Sequence, residues 1–250
     1  PAEGPEYFSF EIERTGKYSL DVRSFHKESG KYKILINNAE AIANDPEKRV
    51  DQLMSFYSGD APGASVGVMQ DGKMIFLKSY GKANLTHNLD FETEMPSNIG
   101  SVTKQFTAMA ILLLEKEGKL SLEDDVRIHI PELPDFGEVV KIRNILNHTN
   151  GWREVYNMMP LRGWNLEDKL LREEVIKVIQ KQTEFQAFPG EEFNYNNSAY
   201  ILAAEIVERI SGKDFPRFVK ENIFEPLEMS NSYVRKDPST IILRATQGYS

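Results

Sequence analysis

Asp71-Gly72 stands between two strand-like runs, Ala64–Gln70 and Met74–Tyr80, and this constrains the fold more than any other feature. An Asp-Gly step accepts positive φ at both turn positions, so the runs read as an antiparallel hairpin closed by a type I′ turn. Before it, Val50, Leu53, Met54 and Tyr57 recur at i, i+3, i+4, i+7, one face of an amphipathic helix ended by Gly59–Gly63. After it the pattern turns helical. Residues 102–117 predict a long, mostly buried helix stopped by Gly118, and further helices are expected over 138–147, 166–182, 197–211 and 214–224. Ser121 with Asp124 suggests a capping box for a short segment. Strands first and helices after, with no internal repeat, give an α+β chain.

The first 36 residues have a different texture. Phe8, Phe10 and Ile12, then Tyr18, Leu20 and Val22, then Tyr32, Ile34 and Ile36 alternate with polar neighbours, as half-buried antiparallel strands do. Residues 1–36 are therefore expected to be a short all-β segment, the tail of a β-sandwich-like module or a small meander packed on the main domain. Residues 37–46 (Asn-Asn, then Asn-Asp-Pro) read as a linker, and 47–250 as the main domain.

Composition narrows the chemistry. The 250 residues include no Cys, which excludes disulfides, iron–sulfur clusters and thiolate zinc sites. The net charge of −8, with no Lys/Arg-dense stripe, argues against a nucleic-acid partner, because such affinity comes largely from neutralising phosphates. The longest apolar run, Ala108–Leu114, is far short of the ~20 residues that span a bilayer. His26, His87, His129 and His148 are too scattered for a helical metal site, and no Gly-rich phosphate loop follows a strand. His148 reads as a structural hydrogen-bonding residue at a helix end.

Ser-x-x-Lys occurs at Ser24/Lys27, Ser79/Lys82 and Ser101/Lys104. Roughly one match is expected by chance in a chain this long, so context must separate them. The first lies in a polar connection between strands, and the second ends a strand, where side chains three apart face opposite ways. Ser101 and Lys104 open a helix, where i and i+3 share a face. A serine hydroxyl needs a base within reach, and a helix N-terminus supplies N–H groups and a positive dipole end for a developing oxyanion. Partial desolvation on the apolar helix is expected to lower the Lys104 pKa. A capping Ser101 beside a snorkelling Lys104 is the competing reading. A second element favours chemistry: Tyr195-Asn196-Asn197 holds the chain's sole Tyr-x-Asn, a phenol able to relay protons and an amide that both donates and accepts.

Ile99-Gly100-Ser101-Val102-Thr103-Lys104 resembles the nucleophile motif of the serine β-lactamase and penicillin-binding-protein superfamily, among whose signatures is Ser-x-x-Lys. Tyr195-Asn196-Asn197 resembles the second motif of its class C β-lactamase-like branch, and His148-Thr149-Asn150-Gly151-Trp152 a His-Thr-Ser-Gly-Leu segment common there. The resemblance runs from about residue 47 to 250. It implies a β-lactamase/transpeptidase-like fold, an antiparallel sheet flanked by a helical region. It also implies a serine acyl hydrolase, an esterase, D-Ala peptidase or β-lactamase, acting through an acyl-enzyme on a small-molecule or peptide substrate with a carbonyl centre. Ser101 would be nucleophile, with Lys104 and Tyr195 sharing acid–base work. Asn197 would orient substrate and Lys104, and the Ser101 N–H would give half the oxyanion hole. No metal or organic cofactor is implied, and an extracytoplasmic location, periplasmic or secreted, is.

The family's third motif, a Lys-Thr-Gly or His-x-Gly triplet after the tyrosine, has no counterpart; Lys116-Glu117-Gly118 lies upstream at a helix end. The sequence is therefore expected to be an incomplete β-lactamase-like domain, its N-terminal portion, inactive as an isolated segment. Trp152–Glu167 would be a substrate-shaping loop or a packed surface stretch. The alternative function is a non-catalytic binding or adaptor protein that keeps the fold.

Overall fold

A computed structural model describes residues 12, 16–19, 40–165, 168, 170–237 and 239–249. The strands expected before residue 37, and the Ser24/Lys27 pair, lie outside the described residues apart from Ile12 and 16–19. The chain divides into two units. One runs to Met95 and takes in the strip from Ala245, and the other is Pro96–Arg244.

In the first unit, α1 (Pro46–Leu53) starts where Asp45 caps the Lys48 N–H at 2.9 Å, with Pro46 in the first turn. Strands β1 (Ala64–Gln70) and β2 (Lys73–Tyr80) pair antiparallel, with a bulge at Val68/Met69. Asp71 and Gly72 have φ of 50° and 73°, the turn that the dipeptide predicts. Asp51 accepts from the Lys78 ammonium at 2.6 Å and the Tyr80 hydroxyl at 2.7 Å, joining α1 to β2. Burial and this carboxylate push the Tyr80 phenol up to about 12. Gly81 then turns the chain at φ 62°, where a Cβ would lie 2.2 Å from the Tyr57 carbonyl, into β3 (Lys82–Asn84), paired with β4 (Leu89–Asp90).

The second unit is helical. A 3₁₀ turn, Gly100–Thr103, feeds α2 (Lys104–Lys116), which buries Thr107, Ala110, Ile111 and Leu114, one face at helical spacing. Gly118, at φ 69°, follows its end. Two short helices follow, α3 (Val126–His129) and α4 (Ile142–Leu146), then α5 (Val155–Met158) and α6 (Arg172–Gln180). α7 (Asn197–Ser211) packs on α2 and buries Ala199, Leu202, Ala203, Ile206 and Val207, and Gly212 ends it at φ 68°. α8 (Phe215–Val219) continues into a π turn, Lys220–Phe224, whose Phe224 meets Phe106 edge-on at 5.3 Å. Each fully buried Leu or Ile here is worth roughly 1.5–3 kcal/mol relative to exposure.

Two helices start later than the periodicity suggests. α4 begins at Ile142 rather than 138 because Val140 and Lys141 are extended: the Val140 carbonyl accepts from Val126, and the Lys141 N–H goes to Asn144 Oδ1 at 2.9 Å. α6 begins at Arg172 because Glu174 reaches back to the Leu171 N–H at 2.9 Å. The Ser121/Asp124 contact exists, with the Ser121 N–H donating to Asp124 Oδ2, but it closes a turn, and Asp125 caps the helix after it.

Candidate active site

Ser101 lies in the 3₁₀ turn and Lys104 opens α2, so the three-residue spacing brings them together: Lys104 Nζ is 3.1 Å from Ser101 Oγ. Asn98 Oδ1 accepts from the Gly100 N–H at 2.9 Å and fixes the entry to the turn. The Tyr195 hydroxyl donates to the same Oγ at 2.6 Å, and Lys104 Nζ donates to Asn197 Oδ1 at 2.8 Å. All four residues singled out in the sequence thus form one hydrogen-bonded group, drawn from segments more than ninety residues apart. Ser79 and Lys82 form no such pair: they fall on different strands, and Lys82 bonds Asp90 at 2.6 Å.

The electrostatics favour proton transfer. Lys104 and the Ser101 hydroxyl hold the Tyr195 phenol below its usual value, because both stabilise the phenolate. The Lys104 ammonium lies 4.7 Å from the Tyr195 ring centre and 5.4 Å from that of Tyr200. Tyr200 is anchored by its hydroxyl on the Leu146 carbonyl at 2.7 Å. Ser101 and Tyr195 face solvent, whereas Lys104 and Asn197 are half-buried.

The segment from His148 to Val155 cradles Tyr195 and Asn197. His148 has φ 61°, its ring stacks on Tyr195 at 4.5 Å, and its Nδ1 accepts from the Asn196 N–H at 3.0 Å. Burial and the Lys104 cation lower its pKa, consistent with a neutral acceptor ring. The structural role expected of His148 is what it has. Gly151 sits at φ 77°, and a Cβ there would lie 2.1 Å from the Ala187 carbonyl, so this close approach requires glycine. Asn196 caps α7 through the Ala199 N–H and donates to the Trp152 carbonyl at 2.7 Å.

Glu154 is the residue that sequence reasoning missed. Its Oε2 accepts from the Asn197 backbone N–H at 2.5 Å, and its Oε1 from the Asn197 side-chain amide at 3.2 Å. In return, Ser198 on α7 accepts the Val155 N–H at 2.8 Å, so the starts of α5 and α7 cap each other. An acidic residue just before a short apolar run in a segment already of interest was the available signal.

Within the Trp152–Glu167 stretch, Trp152, Val155 and Met159 are buried and Met158 and Trp164 pack against the core, whereas Tyr156, Asn157, Pro160, Leu161, Gly163 and Asn165 are exposed. A hollow of about 380 Å³ beside it is lined by Met159, Gly163, Trp164, Glu174 and Lys177, and by none of the four clustered residues. Among the described residues no group of three or more acidic or histidine side chains is arranged to hold a metal, and no helix is long and apolar enough to cross a membrane.

Comparison with known proteins shows the family and the fold. Residues 45–249 match the family model described as Beta-lactamase. Penicillin-binding protein 4* of Bacillus subtilis (strain 168) is 31% identical over 166 residues, covering 66% of this chain and 36% of that protein. The octameric penicillin-binding protein homologue from Pyrococcus abyssi is 32% identical with a TM-score of 0.68, over 82% of this chain and 47% of its own. The D-amino acid amidase from Ochrobactrum anthropi SV3, complexed with L-phenylalanine amide, is 26% identical with a TM-score of 0.66, over 80% and 54%. The chain thus spans about half or less of the length of each.

Proposed function

Because the chain belongs to the Beta-lactamase family, we propose that it carries the nucleophile, the base and the orienting amide of a serine acyl hydrolase of the class C β-lactamase-like branch. Its fold is β-lactamase/transpeptidase-like, with mixed helices and small antiparallel sheets. The observation that carries the proposal is the convergence of Tyr195 O–H and Lys104 Nζ on Ser101 Oγ.

In the resting arrangement the phenol donates to Oγ. Once Tyr195 is ionised the same contact reverses, and Ser101 donates to the phenolate. Oγ then attacks a substrate carbonyl, its proton passing to Tyr195, while the Ser101 backbone N–H supports the oxyanion. Tyr195 returns that proton to the leaving group, giving an acyl-enzyme. Water, deprotonated by the Tyr195 phenolate, attacks the ester, and Tyr195 hands that proton to Ser101 Oγ as the ester bond breaks and the acid is released. Lys104 keeps the phenolate stable throughout, and Asn197 holds Lys104 and offers its amide to the substrate. No metal or organic cofactor enters this scheme.

The substrate class is an ester, a peptide or a β-lactam amide, and names among the similar proteins include penicillin-binding proteins and an amidase. An extracytoplasmic location belongs to the same reading by family analogy, and cell fractionation tests it. The competing function, a binding or adaptor protein on this fold, is disfavoured by the intact bonded group of Ser101, Lys104, Tyr195 and Asn197. Labelling the full-length protein with a fluorescent penicillin and a fluorophosphonate decides between them. Modification of Ser101 by either reagent, blocked in Ser101→Ala, supports the enzyme. Failure of both favours the adaptor.

A further inference from the structure

We propose that Glu154 is a positioning residue of this site, holding the Asn197 amide in the one orientation that lets it accept from Lys104. The inference rests on the acyl-hydrolase reading above and extends it to a residue outside the bonded group of four.

The argument is one of donor and acceptor inventory. An ammonium can only donate and a carboxylate can only accept, whereas an amide offers both. Asn197 lies between them, with Oδ1 on Lys104 Nζ at 2.8 Å and Nδ2 on Glu154 Oε1 at 3.2 Å. Flipping the amide would set its NH₂ against the ammonium and its oxygen against the carboxylate, losing two charge-assisted bonds at once. Without Glu154 both orientations become accessible, and in one of them Lys104 loses a partner that fixes it beside Ser101.

Glu154 is also the N-cap of α5, where it accepts from the Tyr156 N–H, but that contact is 3.3 Å. The shortest bond goes to the Asn197 N–H at 2.5 Å, at the start of the fifteen-residue α7. A carboxylate there suits the positive end of that helix. Glu154 thus makes two bonds to Asn197, at the candidate site, beside the one to its own four-residue helix.

The charge of Glu154 has a second effect. Tyr195 is faced by Lys104 and Ser101 from α2 and its entry turn, by the neutral ring of His148, by Tyr200 of α7, and by Glu154. Of these, Lys104 and Ser101 favour its phenolate and the Glu154 charge opposes it. Removing that charge should shift the rising limb of the pH profile of Ser101 labelling to lower pH.

The test uses Glu154→Gln, Glu154→Asp and Glu154→Ala in the full-length protein, with the rate of Ser101 labelling by a fluorophosphonate as readout and melting temperature as control. Glu154→Ala is expected to slow labelling by roughly 10- to 100-fold, as small misplacements of catalytic groups do, with Glu154→Asp recovering part of the rate. In an Asn197→Ala background, Glu154→Ala should add little further loss, since Glu154 acts through that amide. Glu154→Gln, which keeps the shape and drops the charge, should show the pH shift. Wild-type-like rates and an unmoved pH limb in Glu154→Gln and Glu154→Ala overturn the proposal, as does full additivity with Asn197→Ala. Absence of Ser101 labelling in the wild type would instead overturn the acyl-hydrolase reading.

Discussion

The two units treat their apolar residues in opposite ways. On the hairpin, Met69, Met74, Ile75 and Leu77 are each more than half exposed, and among the described residues up to Met95 the buried hydrophobics are Tyr80 and Ala83. In the helical unit α2 and α7 bring Ala110, Ile111, Leu114, Leu202, Ala203 and Ile206 to zero exposure. Every residue of the candidate site belongs to the second unit. Reacting groups must be held to within about an ångström, and the close-packed interior of the helical unit supplies that rigidity. Ser101 and Tyr195 can face water because the helices beneath them cannot shift independently.

The comparison breaks first at Ser101. Ser101→Ala should lower acyl hydrolysis by the full-length protein by about 10³-fold or more, with an unchanged melting temperature, because the side chain is exposed on a 3₁₀ turn. Persisting hydrolysis would remove the helical unit's claim to the chemistry. Next comes its frame. Leu202→Ala empties a fully buried position on α7 and should cost about 2–5 kcal/mol in denaturant unfolding.

A smaller effect is expected from pH. Burial and Lys104 depress the folded pKa of His148 below 6.5, so the folded state binds fewer protons than the unfolded chain just under that value. Its stabilising contribution is complete above about pH 6.5 and is lost as pH falls through the depressed folded value. Below that point Nδ1 no longer accepts from Asn196. His148→Asn, which tolerates the positive φ, should flatten this part of the melting temperature–pH curve. The smallest effect is expected on the hairpin, where Leu77→Ala in the 250-residue chain itself should change stability by about 0.5 kcal/mol or less. A cost as large as that of Leu202→Ala would erase the contrast between the units.

What the sequence revealed follows the reach of each signal. The type I′ hairpin was legible because two adjacent residues, Asp71 and Gly72, determine it. α2 was legible because its apolar face repeats every three to four residues and Gly118 stops it. Ser101 with Lys104 needed one turn of helix, and Tyr195 with Asn197 needed a resemblance to be brought to the same place. Glu154 had no local mark. Its meaning comes from Asn197, 43 positions later, through bonds that exist only after α5 and α7 have packed. The delayed starts of α4 and α6 were hidden for a related reason: Asn144 and Glu174 bond back to backbone N–H groups that periodicity would have placed inside the helix.

The separation of the two halves of the site has a kinetic consequence. Ser101 meets Tyr195 across 94 residues, and Lys104 meets Asn197 across 93. Closing a loop of that length costs about 4 kcal/mol of chain entropy before either bond returns anything. Helices α2 and α7 can begin to form from local contacts, but the constellation cannot precede their docking. During refolding, helical signal should therefore recover ahead of Ser101 reactivity, and no peptide cut from either half would carry the chemistry with it.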